Sequence, residues 1–263
     1  MKNLFLFLFL LVVFTSKAQD NRVSGLNSRQ FTKYWKVESE SPDYKVTFQG
    51  DTAEIVSPKG LTLWRKEKMS GKVTIEYDAC VVVESDGDRL SDLNCFWMAS
   101  DPQYPDNLWK REKWRSGIFL NCYSLQLYYL GYGGNHNSTT RFRRYDGDES
   151  GITNPKARPA ILKEYTDAGH LLKPNHWYHI KITNENNRVS YYIDGERLVD
   201  FRDAEPLREG WFGFRTTLSR TRITNFSYEC SSQEATAVPL QWIGETPRQD
   251  KAVSFGVPFD KGE

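Results

Sequence analysis

Trp177-Tyr178-His179-Ile180-Lys181-Ile182, the polar turn 184–187 and Arg188-Val189-Ser190-Tyr191-Tyr192-Ile193, closed by Asp194-Gly195, read as two antiparallel strands and the start of a third. Side chains alternate between faces along a strand, so Tyr178, Ile180 and Ile182 share one face while His179 and Lys181 share the other. Asp-Gly is a tight-turn dipeptide that returns the chain on itself. After it come Gly210-Trp211-Phe212-Gly213-Phe214-Arg215-Thr216 and Arg222-Ile223-Thr224-Asn225-Phe226-Ser227-Tyr228, again β-branched and aromatic.

The same signals recur upstream. Strands are expected at 34–38, 45–49, 52–56, 61–64, 71–83, 94–99, 117–121, 125–132, 139–144, 177–184, 188–193, 211–217 and 222–228. No amphipathic helix stands out, so the fold class is all-β, a two-sheet antiparallel β-sandwich. The order of hairpin, Asp-Gly turn and closing strands resembles the end of concanavalin-like and laminin-G-like sandwiches, which implies a concanavalin-like jelly roll. Two irregular stretches, 101–116 and 146–175, are rich in Pro, Gly and charge. Loops of such length are commonly functional, and these are expected to rim one side of the sandwich.

The ends differ from the middle. Lys2 precedes an apolar run from Leu4 to Phe14 and the small-residue site Ser16-Lys17-Ala18. This is the grammar of a secretory signal peptide cut near Ala18, and the run falls short of the ~20 residues that span a bilayer. A secreted or periplasmic location is expected, with the sandwich at 25–230. From 231 the polar run Ser231-Ser232-Gln233-Glu234-Ala235-Thr236 reads as a linker. The tail beyond it, with Gln241-Trp242-Ile243-Gly244 and Gly256-Val257-Pro258-Phe259-Asp260-Lys261-Gly262, resembles the start of exo-rhamnogalacturonan-lyase-like proteins. That resemblance implies a truncated second domain; an ordinary loose terminus is the alternative.

Composition limits the partners. Net charge is +1 at pH 7, which gives no global case for nucleic acid or membrane binding, so any charged ligand must meet a local cluster. Aromatic residues are 14% of the chain, suiting strand faces and flat polar ligands alike. Cys80, Cys95, Cys122 and Cys230 are widely spaced and form no zinc pattern. Export permits a disulfide, yet Cys80, Cys95 and Cys122 lie within strand-like runs where a buried thiol acts as a small apolar group.

The densest polar constellation is Tyr128-Tyr129-Leu130-Gly131-Tyr132-Gly133-Gly134-Asn135-His136-Asn137-Ser138-Thr139-Thr140-Arg141-Phe142-Arg143-Arg144-Tyr145. A strand enters a Gly-rich turn and another leaves it, with Arg141, Arg143 and Tyr145 on one face. Two guanidinium groups on one face suit a carboxylate or sulfate. The block resembles the signature of the secreted bacterial domain of unknown function 6250 family, as does Asn94-Cys95-Phe96-Trp97-Met98-Ala99-Ser100-Asp101-Pro102 a segment of related jelly-roll domains from pectin-degradation loci. The resemblance implies a fold and a glycan context and supplies no catalytic assignment.

A polysaccharide lyase neutralises a uronate carboxylate, removes the C5 proton and protonates the leaving oxygen. Arg141 or Arg143 are expected to neutralise, with His136, Tyr132 or Tyr145 as base and acid. His136 stands equally as a solvated turn residue. Asn94, Asn135, Asn137, Tyr128, Trp97 and Trp211 are the expected substrate contacts, against core packing as the default for strand aromatics. Trp109 and Trp114 are further groove candidates. A glycosidase needs two carboxyl groups about 5–10 Å apart. Asp86, Asp88, Asp92 and Asp101 form no such motif, so elimination fits better than hydrolysis. No cofactor is expected. Asp86-Gly87-Asp88 leaves a structural calcium open beside a plain solvated turn, and His170, His176 and His179 are weak metal evidence. The expected partner is therefore an acidic polysaccharide or oligosaccharide, met by a lyase or by a noncatalytic carbohydrate-binding module.

Overall fold

The computed structural model describes residues 23–231. The leader expected at 1–18 and, beyond Ser231, the linker and tail lie outside the described residues. Fourteen strands follow in order: β1 (Val23–Ser24), β2 (Trp35–Ser39), β3 (Lys45–Gln49), β4 (Thr52–Arg65), β5 (Met69–Ser70), β6 (Lys72–Val81), β7 (Leu93–Ser100), β8 (Gln126–Gly133), β9 (Thr139–Asp146), β10 (Lys163–Tyr165), β11 (Tyr178–Glu185), β12 (Arg188–Ile193), β13 (Glu196–Arg202) and β14 (Glu209–Ser231). Helix is confined to single turns, and among the described residues no helix is long and apolar enough to cross a membrane.

Two antiparallel layers share their central strands. The first half of β14 pairs with β7 and with the second half of β4, while its second half pairs with β6 and with the first half of β4. One layer therefore runs β10-β9-β8-β7-β14-β4-β2, and the other runs β3-β4-β14-β6-β11-β12-β13. The crossing point is marked in both strands. Leu218 takes φ 51 at a register shift of β14, and opposite it the β4 ladder skips Pro58, which has no N–H to donate. The pairs of strands expected at 52–56 with 61–64, and at 211–217 with 222–228, are thus two long strands that each change layer midway.

Between the layers lies an apolar core in which Trp35, Tyr77, Trp97, Tyr128, Phe142, Tyr191 and Phe212 are fully buried. The hairpin alternation holds: Tyr178, Ile180 and Ile182 are buried, whereas His179 is exposed. Asp194 and Gly195 both take positive φ, as an Asp-Gly hairpin turn demands. All four cysteines are free.

A second apolar cluster sits on the outer face of the first layer. Trp64, Phe96, Tyr129, Tyr145 and Trp211 project from the strands and are covered by Leu108, Cys122, Tyr123 and Leu125 of the 101–125 excursion. Leaving them bare would forgo about 1.5–3 kcal/mol for each large apolar side chain. The excursion is also pinned by charge. Fully buried Arg115 donates to Glu38 at 3.0 Å and to the Leu108 carbonyl at 2.7 Å, and Arg111 grips Asp101 at 2.7 and 3.2 Å.

Residues 117–121 are not the expected strand. Ser116 and Gly117 both take positive φ and turn the chain into a 3-10 turn at Leu120–Ser124. A Cβ on Gly117 would strike the backbone of Ser39 and Glu40, so glycine permits the excursion to press against β2. Conversely β13, and β10 inside the stretch read as irregular, are strands that short polar-rich segments concealed.

Candidate functional site

Cross-strand register sets out the outer face of the first layer in rows. One row reads Glu38, Thr62, Arg215, Asn94, Gly131, Arg141, Glu164 across β2, β4, β14, β7, β8, β9 and β10. The next reads Trp64, Gly213, Phe96, Tyr129, Arg143. Where the first row reaches Gly131 there is no side chain, and the gap between Asn94 and Arg141 forms the floor of a cleft of about 330 Å³. Arg89 and Asp92, Phe119 and Tyr123 of the excursion, and Arg141 and Arg143 are among the residues that line it.

The cleft is cationic around a single lining carboxylate, Asp92. Arg89 lies 3.2 Å from Asp92 and donates to the Thr217 carbonyl at 2.9 Å. Arg141 is paired with Glu164 at 2.5 Å, and Arg143 donates to the Pro159 carbonyl. Arg215, buried behind the floor, donates to the Gly117 carbonyl at 2.5 Å. Oδ1 of Asn94, Nε of Arg89 and, behind the floor, Nε of Arg215 are buried without a hydrogen-bond partner among the described residues.

Burial governs proton affinity here. It raises the Asp92 carboxyl above the ordinary carboxylate range, against the opposing charge of Arg89 and hydrogen bonding from Asn94. Burial, reinforced by the Asp92 charge, pushes the Tyr129 phenol well up, while Arg215 and Arg143 act in the other direction. A carboxyl that holds its proton unusually well and a phenol that stays protonated thus share one cationic cleft.

Of the eleven residues singled out from sequence, Asn94, Asn135, Arg141 and Arg143 line this cleft. The others are elsewhere. Tyr145 is fully buried in the second apolar cluster with its hydroxyl unpartnered, and burial holds its phenol far above the usual range, so the expectation that it serves as acid or base is corrected. Tyr132 packs in the core against Tyr178 and donates to the Leu171 carbonyl at 3.3 Å, which removes it too. Trp97 and Tyr128 are core residues; Tyr128 donates to Asp203 at 2.7 Å and anchors the loop before β14. Trp211 is buried and donates to the Lys66 carbonyl at 3.1 Å. None of these three presents a face to a ligand.

The Gly-Gly-Asn-His-Asn turn owes its composition to backbone geometry. Asn135, His136 and Asn137 all take left-handed φ of 54, 59 and 57°, a conformation that asparagine tolerates best after glycine. Asn137 clamps Leu172 through both ends of its amide, at 2.9 and 2.8 Å. His136 is exposed on the turn, outside the cleft lining. Asp92, Tyr129 and Arg89 were not singled out by sequence as a set. The signal available was register: Tyr129 and Gly131 share the face of Arg141 and Arg143.

Asp88 caps its own turn, accepting from the amides of Glu84 and Ser85 at 2.7 and 3.0 Å. Among the described residues no group of three or more His, Cys, Asp and Glu is placed to hold a metal ion.

A family described as Domain of unknown function (DUF6250) matches residues 55–226. No curated protein matches. A protein of unknown function with galectin-like fold from Bacillus subtilis superposes with a TM-score of 0.63 at 16% identity, covering 81% of this chain and 96% of that one. The carbohydrate-binding module CBM66 from Bacillus subtilis gives 0.50 at 16% identity, over 74% and 94%. The VIP36 exoplasmic/lumenal domain, in a Ca2+/Man3GlcNAc-bound form, gives 0.52 at 10% identity, over 82% and 91%. These likenesses establish a galectin-like jelly roll.

Proposed function

The chain belongs to the DUF6250 family, a domain of unknown function, and on that premise we propose that it is a glycan-active protein acting outside the cytoplasm. It seats a uronate-bearing unit of an acidic polysaccharide, rhamnogalacturonan-like in the favoured case, in the β7–β8–β9 cleft and cleaves the chain by β-elimination. The carrying observation is that Asp92 and Tyr129, two unlike proton carriers, share a cleft with Arg141 and Arg143.

Arg143 and Arg141 offer paired donors to the uronate carboxylate and stabilise the negative charge that develops on it. Asp92, ionised, takes the C5 proton. Its electron pair forms the C4–C5 double bond as the C4–O bond breaks, and the leaving oxygen takes the Tyr129 proton. A raised carboxyl is a stronger base than an ordinary one, and the Tyr129 phenol, protonated at the working pH, gives up its proton only to the strongly basic alkoxide that forms as the C4–O bond breaks. Two-carboxylate hydrolysis fits less well, because Asp92 is the one lining carboxylate and Glu164 is engaged by Arg141.

The second reading is noncatalytic binding of the same polymer in the same cleft. It is favoured by the fold shared with a carbohydrate-binding module and with a glycan-bound lumenal domain. The deciding experiment incubates the protein with pectic, sulfated and glycosaminoglycan polymers and follows the absorbance of unsaturated uronate. Product formation that Asp92→Asn abolishes supports elimination. Retardation in a polymer gel without product supports binding alone.

A further inference from the structure

The outer face of the second layer also falls into rows. Thr74, Thr183 and Ser190 stand opposite one another on β6, β11 and β12, with Asp200 of β13 closing the row. On one side lies the row Glu185, Arg188, Arg202, extended by Lys72, which pairs with Glu185 at 2.8 Å, and on the other Glu76, Lys181, Tyr192, Arg197. Short hydroxyl side chains between two rows of long ones make a trough that runs across the strands. A groove of about 490 Å³ occupies this place, lined on its floor by Thr74, Thr183 and Ser190.

We propose that this trough is a second binding site, for an extended, hydroxyl-rich and anionic oligosaccharide segment. Three independent features support it. With neighbouring strands about 4.8 Å apart, the floor spans about 14 Å from β6 to β13, the length of a short oligosaccharide. Thr74, Thr183 and Ser190 put three short hydroxyl side chains along the groove, and Ser190, 3% exposed, lies deep in its floor. Five cationic side chains face three carboxylates, and Asp200 is already shared between Arg188 at 2.6 Å and Arg197 at 3.2 Å. The surplus positive charge, with Arg202 at one exposed rim and Arg197 opposite Tyr192 on the other, selects an anionic chain over a neutral one.

That the occupant is a stretch of the cleft's own polymer rests on the proposed function; the trough itself does not. The trough lies on the opposite layer from the cleft, so it holds polymer without touching the reacting unit. The test is affinity electrophoresis of the wild-type chain, R197E/R202E, T183Y and the cleft variant R143A in gels containing polygalacturonate, rhamnogalacturonan or neutral dextran. Dissociation constants at least fivefold weaker for R197E/R202E and T183Y in an anionic gel, with no change in dextran, are expected. Wild-type retardation by both trough variants overturns the proposal, as does a wild-type chain that no anionic gel retards. R143A reports the cleft separately: failure of the cleft reading leaves R143A bound like wild type while the trough variants still lose affinity.

Discussion

Gly131 faces Arg141 directly across the β8–β9 ladder, and a Cβ on Gly131 would run into the Tyr129 hydroxyl two residues back on the same face. The φ of Gly131 is not positive, so alanine fits its backbone, and the nearest atoms the new Cβ meets are those of the Tyr129 ring. Gly131→Ala is therefore expected to fold and to push the phenol from its place. Displacing a reacting group by about an ångström costs on the order of 10²-fold. Uronate release should fall by that order, and the displaced ring should lower stability by about 1–3 kcal/mol in urea unfolding without unfolding the protein.

Arg143 and Arg141 are not equal partners for a carboxylate. Arg141 already faces Glu164, whereas Arg143 donates to the Pro159 carbonyl and has no carboxylate partner among the described residues. A charge-assisted hydrogen bond contributes about 1.5–3 kcal/mol, or roughly 10- to 150-fold in affinity. Arg143→Ala should lose that much for an acidic oligosaccharide by calorimetry, and Arg141→Ala measurably less.

His136→Ala should leave both affinity and turnover within about twofold of wild type, since the residue is exposed on the left-handed turn and outside the cleft. A tenfold loss in the same uronate assay would return His136 to the site.

Strand periodicity made the layers legible, because burial on one face writes itself into alternation at Tyr178, Ile180 and Ile182. It also put Arg141 and Arg143 on one face. The layer change at Pro58 and Leu218 read as gaps between strands, since a bend and a loop interrupt the pattern alike. Tyr145 shares its face with Arg143, yet the 101–125 excursion folds over the far end of that face and buries it. Nothing local in a strand reports what covers it. Asp92 was visible as an acid near a strand, but it shares a cleft with Tyr129 only because the β7–β8 register sets Tyr129 opposite Phe96 on the face that Asp92 adjoins, which single residues do not encode.

The buried pair of Arg115 and Glu38 ties the excursion, and with it Phe119 and Tyr123, to β2. Both side chains are almost wholly enclosed, at 0% and 4% exposure, so removing Arg115 takes from the buried Glu38 carboxyl its main counter-charge. Arg115→Met should destabilise the fold by about 3–5 kcal/mol in urea unfolding. The double variant E38L/R115M, which removes both charges, should recover most of that loss.

Asp92 couples activity to stability with opposite signs. Its folded-state carboxyl is raised by burial above the unfolded value of about 3.9. The folded protein therefore holds this proton to higher pH than the unfolded chain does. The stabilising contribution is complete below the unfolded value and is lost as pH rises through the raised folded value. As base, however, Asp92 works only when ionised, so turnover should climb through the same window in which stability declines. Asp92→Asn cannot ionise, and asparagine accepts the left-handed φ of 67° at this position. That variant should be inactive at every pH yet melt higher than wild type at neutral pH, the two curves converging in acid. A variant that melts lower at neutral pH would show that the ionised carboxylate is held by Arg89 more strongly than burial opposes it.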